Sequence, residues 1–512
     1  MGTLDTLREA VRIQAARRPE HPALVCGREI LTYAELDERT DRLAGALDAV
    51  GVGHGTRVAH FARDSLRYYE LLLACAKTGA VLVPIDWRLT AAEVEHVLTD
   101  SGARLLFTDT ESAPVAAELT PHLDHTVFLD SQEADKWWAG GPVAALADDD
   151  PERALVQIYT SGTTGAPKGV VLADRTFAAI AQLLAEHDLD WIDWREDDRS
   201  LLGVPGFHVG GIWWATQGLR AGVTNVVVPA FDSRHTVELV RTLRITTTCM
   251  VPAMLRMLVD EPGVTSADFA SLRKMVYGGS PISDVLLARC LKIFDCDLAQ
   301  IYGLTESGNT AVCLPPEEHR PGSPRLGAAG LPYPGVSVKV IDDEGAPLPA
   351  GTIGQVCLRT PAHMIGYWNQ QEKTASTLVD GWVHTGDAGY LDEDGFLYIC
   401  DRIGDTIIVA GENVYPAEVE KALCRHPGVR DAAVVGAPDD TWGESIHAFV
   451  VPREPDAPAT AELSGFLRTE LAGFKVPTHY EFTDVLPRNP SGKLLRRTLR
   501  DELWATRQRK VN

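Results

Sequence analysis

The run "YTSGTTGAPKGV", Tyr159 to Val170, packs hydroxyls, glycines and one lysine into a short stretch after an apolar strand. Exposed amides, side-chain hydroxyls and a single cation are what a loop needs to wrap phosphate. A Walker loop requires Gly directly before Lys so that backbone amides and the ammonium converge on one phosphate group. Here Pro167 precedes Lys168. The run therefore reads as a different device, a polyphosphate clamp built from Thr160, Ser161, Gly162, Thr163, Thr164, Gly165 and Lys168. Lysines are far outnumbered by arginines, yet a second one, Lys493 in "PSGK", also stands in a Gly-containing loop, far away in the chain.

Further segments follow in order: "PGFHVGG", "YGGSPIS", "YGLTES", "HTGD", "DRIGDTIIVAGENVYPAEVE" and "PRNPSGKLLRR". Alone, each has a bland reading as a turn, a core histidine or a solvated charge. As an ordered set covering nearly the whole chain, the sequence resembles the adenylate-forming superfamily of acyl-CoA synthetases, peptide-synthetase adenylation domains and luciferases.

The resemblance implies a role for each matched residue. Tyr302 would stack on adenine, with Gly278, Gly279, Ser280 and Gly303 lining that pocket, and Thr305 would touch the phosphates. Glu306 would hold the magnesium that accompanies ATP. Asp387 would accept the ribose hydroxyls, with Arg402 a second ribose contact. His208 would gate the acyl site, whose walls would include Val209, Gly210, Trp213, Trp214, Cys249, Met250, Val251, Gly303, Gly308 and Asn309. Lys493 would come between carboxylate and α-phosphate during adenylation. The small domain would then rotate about a hinge near Gly404 and present the face near Gly411 as a pantetheine channel for coenzyme A. Two positions depart from the common pattern: Gly404, where relatives often carry Lys or Asp, and Asp174 in "VLADRT", where a histidine is frequent.

The elements that must position these residues follow from length and patterning. At 512 residues the chain is too long for one ordinary core. Thr32-x-x-Glu35 and Thr90-x-x-Glu93 read as capping boxes opening amphipathic helices. Short apolar runs at 57–62, 80–85, 103–109, 154–159, 223–229, 246–252, 273–277 and 298–302 alternate with them, the rhythm of a parallel sheet covered by helices. From about Gly327 the chain turns to strand-and-turn material rich in Gly, Pro and Asp, read as antiparallel. Past Asp401 shorter strands and helices read as a compact α+β unit. The expected fold is thus a large N-terminal α/β domain over 1–400, with mostly parallel sheets and a distorted antiparallel β-barrel subdomain at about 327–400. A hinge at 401–405 leads to a small mobile α+β domain over 406–512.

The formal charge of -23 excludes the basic footprint that nucleic-acid or anionic-membrane binding needs. No run is long and apolar enough to span a membrane. The nine cysteines are scattered without a C-x-x-C pair, which suggests neither a disulfide framework nor a zinc site. A cytoplasmic enzyme is expected. Its leading activity is ATP- and Mg2+-dependent adenylation of a carboxylic acid, then thioester formation with coenzyme A. Three alternatives stay open: loading of a separate carrier protein, a diazotase activating nitrite for attack by an aryl amine, and a silent nucleotide-binding regulator.

Overall fold

The computed structural model describes residues 6–119, 123–141, 148–160, 167–189, 191–409, 412–439, 443–453, 457–488 and 492–505. Both capping boxes form. Glu35 donates its amide to Thr32 Oγ1 at 3.2 Å and takes the Thr32 amide on its carboxylate at 2.9 Å, opening the helix Tyr33–Ala49. Thr90 and Glu93 do the same for Ala91–Ser101. These helices, with Leu66–Thr78, bury apolar faces on a sheet whose strands are buried throughout, such as Val81–Pro84 and Leu105–Thr108. Continuous apolar strands of this kind are what a doubly covered parallel sheet requires.

Among the described residues the strands form four sheets. The first has seven strands; its parallel part runs through Ala154–Thr160, Val81–Pro84, Arg57–Phe61, Leu105–Thr108 and His125–Phe128. The hairpin strand Lys168–Ala173 and the short Gly366–Tyr367 extend it in antiparallel fashion. The second has nine strands, and at its centre Arg199–Leu202, Thr247–Met250, Lys274–Gly278 and Asp297–Tyr302 are parallel neighbours. Their register aligns Leu202 with Cys249, Met250 with Tyr277 and Gly278 with Ile301, so the four carboxyl ends lie side by side. Open α/β sheets bind ligands at that edge.

The third sheet is antiparallel and includes Ser337–Ile341, Gly354–Arg359, Trp382–Leu391 and Leu397–Arg402. The fourth, built on the long pair Val429–Asp439 and Gly443–Pro452, carries the helices Pro416–Arg425 and Thr460–Glu470 over its own apolar cluster of Ile407, Val419, Leu423, Val434, Ala448 and Leu463. All nine cysteines are free thiols. No helix among the described residues is long and apolar enough to cross a membrane.

Asp174, the second departure in the sequence, has a structural reason. Its buried carboxylate accepts the Leu7 amide at 2.9 and 3.1 Å and pairs with Arg220 at 3.2 Å. It thereby caps the positive end of the helix Leu7–Arg17 and holds the last turn of Val209–Ala221. Burial raises its pKa, with Arg220 opposing. Removing one partner of a buried pair leaves the other charge uncompensated. Asp174→Ala should therefore lower stability by about 3 kcal/mol, read as a fall in the urea midpoint of the large domain; an unchanged midpoint would show that water replaces the carboxylate.

Candidate active site

The carboxyl edge of the nine-stranded sheet gathers most of the residues singled out by sequence. Gly278 ends one strand, with Gly279 and Ser280 just beyond it, and Tyr302 ends the next. Gly303 follows, then Thr305 and Glu306 in the short 3-10 turn Thr305–Ser307. The Tyr302 hydroxyl donates to Asp387 Oδ2 at 2.7 Å, joining this edge to the third sheet. Across the ladder from Asp387 stands Arg402, whose Nε pairs with Asp387 Oδ1 at 2.8 Å and whose Nη1 donates to the Thr385 carbonyl at 2.9 Å. Burial and the neighbouring Asp387 charge push the Tyr302 phenol well above its usual range, so it stays a donor.

Lys493 reaches the same place from the opposite end of the chain. The preceding Gly492 has φ +77° and lies so close to Ala253 and Val251 that a side chain there would collide with the helix Pro252–Asp260. The loop is thereby seated on the large domain. Lys493 is exposed at its surface, yet the protein atoms gathered around it, with the Arg402 charge, lower its pKa; Asp387 opposes that shift. Tyr302, Asp387, Arg402 and Lys493 thus form one cluster of alternating charge.

The phosphate-loop hairpin opens beside it. Thr160 pairs with Lys168 across the ladder, while Ser161, Gly162, Thr163, Thr164 and Gly165 lie outside the described residues, as does Gly411. Lys168 Nζ lies 5.6 Å from the centre of the Tyr367 ring, and the Tyr367 hydroxyl donates to Glu306 Oε1 at 2.7 Å. Sequence reasoning passed over Tyr367. Its signal was the "GYW" triplet, indistinguishable from core aromatics until its strand is seen pairing with Val170 and Val171. Burial lowers the Lys168 pKa, with Lys373 adding to that and Glu306 opposing it. One carboxylate beside a phosphate loop suits magnesium, which keeps several waters and takes phosphate oxygens as its remaining ligands.

His208 caps the helix Val209–Ala221. Its Nε2 is buried without a hydrogen-bond partner, and so is Asn309 Nδ2. Between them lies Gly210, whose missing side chain would stand 3.2 Å from Asn309 Oδ1. Burial, with Asp86 and Arg88 acting in opposite directions, lowers the His208 pKa to about 4, so the imidazole is neutral near pH 7. One helical turn after Gly210, Trp213 lines an apolar cavity of about 230 Å³, shared with Ile180, Leu184, Leu189, Trp191 and Trp194. Gln217 extends that lining by another turn.

The remaining pocket candidates divide. Gly303 and Gly308 are in tight contact with the Asn309 and Ala362 carbonyls, and Val251 abuts Gly279 and Gly492. Val209 packs on the main core. Cys249, Met250 and Trp214 are buried in that core and line no part of the Trp213 cavity. Burial pushes the Cys249 thiol up to about 12, so it is an inert core thiol and not a nucleophile.

Around Gly404 the short turn Ile403–Asp405 follows the strand end. Nothing lies within 4 Å of where a Gly404 side chain would start, so in this conformation the position does not demand glycine. The neighbouring Asp401 carboxylate accepts the Arg402 and Ala417 amides at 2.8 and 2.7 Å and pairs with Arg496 at 3.0 Å. Arg496 also bonds Glu420 twice, at 2.8 and 2.7 Å.

Comparisons with known proteins follow these lines. Residues 11–368 match the AMP-binding enzyme family, and residues 418–493 match the AMP-binding enzyme C-terminal domain. The chain belongs to the adenylate-forming superfamily. It is 55% identical over 511 residues to the fatty acid–[acyl-carrier-protein] ligase ScoC of Streptomyces coeruleorubidus, covering 99% of this chain and 98% of that one. It is 37% identical to a feruloyl-CoA synthase of Amycolatopsis sp, over 95% and 97% of the two chains. Among solved structures it is similar to the o-succinylbenzoate CoA synthetase of Bacillus subtilis. The complex with an acyl-adenylate intermediate gives TM-score 0.85 at 30% identity over 99% and 100% of the chains. The complex of the same enzyme with ATP and magnesium ion gives 0.83 at 30% over 96% and 98%. The chain is thus an adenylate-forming ligase by family.

The neutral His208 makes stability depend on pH. Its pKa is about 4 in the fold against about 6.5 unfolded. Between those values the unfolded chain binds more protons, so this group makes the fold less stable as the pH falls from 6.5 towards 4. Replacing His208 by Gln removes that term, worth about 3 kcal/mol at most. Denaturation midpoints measured from pH 7 to 4.5 should fall less steeply in His208→Gln than in the parent; parallel curves would mean the imidazole is protonated in place.

Proposed function

We propose that the chain activates a fatty or similarly apolar carboxylic acid as its acyl adenylate and then passes the acyl group to the thiol of an acyl carrier protein. The observation that carries this reading is a juxtaposition. The charge cluster of Tyr302, Asp387, Arg402 and Lys493 stands at the sheet edge, the unpartnered Asn309 Nδ2 follows Tyr302 by seven residues, and the unpartnered His208 Nε2 opens the helix whose Trp213 lines the apolar cavity. A nucleotide needs the cluster, an acyl chain the cavity, and a carboxylate the two unpartnered nitrogens.

In the first half-reaction a carboxylate oxygen attacks the α-phosphorus of ATP, and the bond from that phosphorus to the pyrophosphate oxygen breaks. Two anions must approach each other, so the barrier is chiefly electrostatic. Lys493 supplies the charge at the α-phosphate, and Lys168 holds the departing phosphates. Asp387 and Arg402 orient the ribose. Glu306 would hold magnesium, which supplies charge neutralisation on the phosphates. His208 and Asn309 offer hydrogen bonds to the acid carboxyl group from a site that excludes water.

In the second half-reaction the sulfur attacks the acyl carbonyl, the bond to AMP breaks, and the thiol proton passes to solvent. Lys493 has no part in that step, so the small domain is free to turn about 401–405 and bring the region of Gly411 to the site. The 55% identity with a carrier-protein ligase favours a carrier thiol over coenzyme A, the acceptor named for the feruloyl relative at 37%. The apolar cavity favours an acyl chain over nitrite.

The test is acid-dependent ATP–pyrophosphate exchange over acids of graded chain length, followed by product mass with carrier protein or coenzyme A. Exchange with apolar acids and acylation of the carrier are expected; turnover only with coenzyme A would reassign the acceptor. Lys493→Ala should lose exchange by about a thousandfold or more yet transfer the acyl group from supplied acyl adenylate at close to the parental rate. Equal loss in both steps would remove Lys493 from the chemistry.

A further inference from the structure

The loop that delivers His208 is gripped from outside the site. Gly206, two residues before His208, donates its amide to Asp64 Oδ2 at 2.8 Å, and its carbonyl accepts the Tyr68 hydroxyl. Asp64 and Tyr68 come from the turn after Arg57–Phe61 and the first turn of Leu66–Thr78, in the other large sheet. Both peptide groups flanking the Gly206 Cα are therefore held, one through N–H and one through C=O. A side chain at Gly206 would run into the Tyr68 ring, so the approach itself requires glycine. The ring is locked edge-on by His60 at 4.8 Å and Tyr69 at 4.9 Å.

From Gly206 the constraint passes to the His208 backbone, which sets where the imidazole starts. The His208 amide bonds the Pro205 carbonyl at 3.1 Å, and the His208 carbonyl receives Gly211 and Ile212 at 3.0 and 3.2 Å. A side chain at Gly211 would meet the Pro205 carbonyl. Residues 205–212 are thus one tight unit, gripped from outside at Gly206. That grip uses a carboxyl group 4% exposed, whose pKa burial pushes up to about 7 with the Gly206 amide opposing. A buried carboxyl group is held in place by the donor that solvates it, here the Gly206 amide at 2.8 Å. In its ionised form it accepts that bond roughly twice as strongly as a neutral acceptor would.

We propose that Asp64 and Tyr68 are positioning residues for adenylation: by clamping Gly206 they set the His208 imidazole against the acid carboxyl group. The proposal rests on the adenylation reading above, and its test separates the two. In pyrophosphate exchange, Asp64→Leu should lower kcat/KM for the acid about ten- to hundredfold, and Tyr68→Phe several-fold, with KM for ATP within about twofold of the parent. Asp64→Asn keeps an acceptor oxygen for Gly206 and should recover activity to within about threefold of the parent.

The deciding measurement is a double-mutant cycle with His208→Ala. If Asp64 acts through His208, adding Asp64→Leu to His208→Ala changes kcat/KM less than about twofold. Additive losses overturn the proposal, as does an Asp64→Leu enzyme that folds and matches the parent, or one whose ATP and acid constants shift together. If the parent itself shows no exchange with any acid, the adenylation reading fails. The clamp is then judged by hydrogen exchange at 203–208: faster exchange in Asp64→Leu than in the parent supports it, and equal rates overturn it.

Discussion

The Asp387 carboxylate joins parts of the chain that share no backbone ladder. One oxygen takes the Tyr302 hydroxyl from the nine-stranded sheet, the other pairs with Arg402 at the last residue of its own hairpin, and the Lys493 ammonium lies in its field. A carboxylate 5% exposed needs such partners, since an uncompensated charge at that depth is far costlier than one in water. The partners in turn depend on it. Tyr302 keeps its proton as a donor, and the positive charges of Arg402 and Lys493 come together only because a negative one separates them. Carboxylates accept along several lone-pair directions, so these bonds leave Asp387 able to receive hydroxyls as well.

Around that point the elements act as struts. Four parallel strands end side by side, and each contributes one short connection to the site instead of a whole loop. Short connections from a packed sheet hold side chains more closely than long ones can, because the strands beneath are buried on both faces and cannot slide without exposing apolar surface. The helix that follows His208 carries Gly210 and Trp213 on one face, so the same rigid cylinder sets Gly210 against Asn309 and Trp213 into the apolar cavity.

Much of this was legible in the sequence. Capping boxes, the alternation of apolar runs with helices and the ordered motifs are local patterns, and the parallel sheets and their carboxyl-edge residues follow from them. What stayed hidden are contacts between distant residues of ordinary type. Tyr367 and Glu306 are 61 residues apart and Gly206 and Asp64 142 apart; nothing in the local composition around Tyr367 or Asp64 separates them from core aromatics or helix-start acids. Asp174 looked like an unexplained departure because its partners, Leu7 and Arg220, are remote in sequence. Arg496 and Arg497 are adjacent and identical in type, yet the fold separates them. Arg496 is enclosed by Asp401, Asp405 and Glu420, while Arg497 is exposed and pairs along its own helix with Asp501.

That separation bears on how the two parts of the chain meet. Among the described residues, the contacts across the seam away from 401–405 include half-exposed ion pairs, Asp284 with Lys421 and Arg425 at 2.9 and 3.0 Å, a hydrogen bond from Arg256 to the Arg430 carbonyl at 2.8 Å, and the seat of Gly492 on Ala253. Exposed pairs of this kind contribute under about 1 kcal/mol each and are readily exchanged for water. The hinge is different in kind. Arg402 is bound into the large part through Asp387 and Thr385, whereas the adjacent Asp401 side chain is bound into the small part through Ala417 and Arg496. Two neighbouring residues with opposite attachments concentrate any relative turning on the one or two peptide units beside them. At Gly404, the hinge position expected from sequence, a side chain would meet nothing within 4 Å of its Cβ.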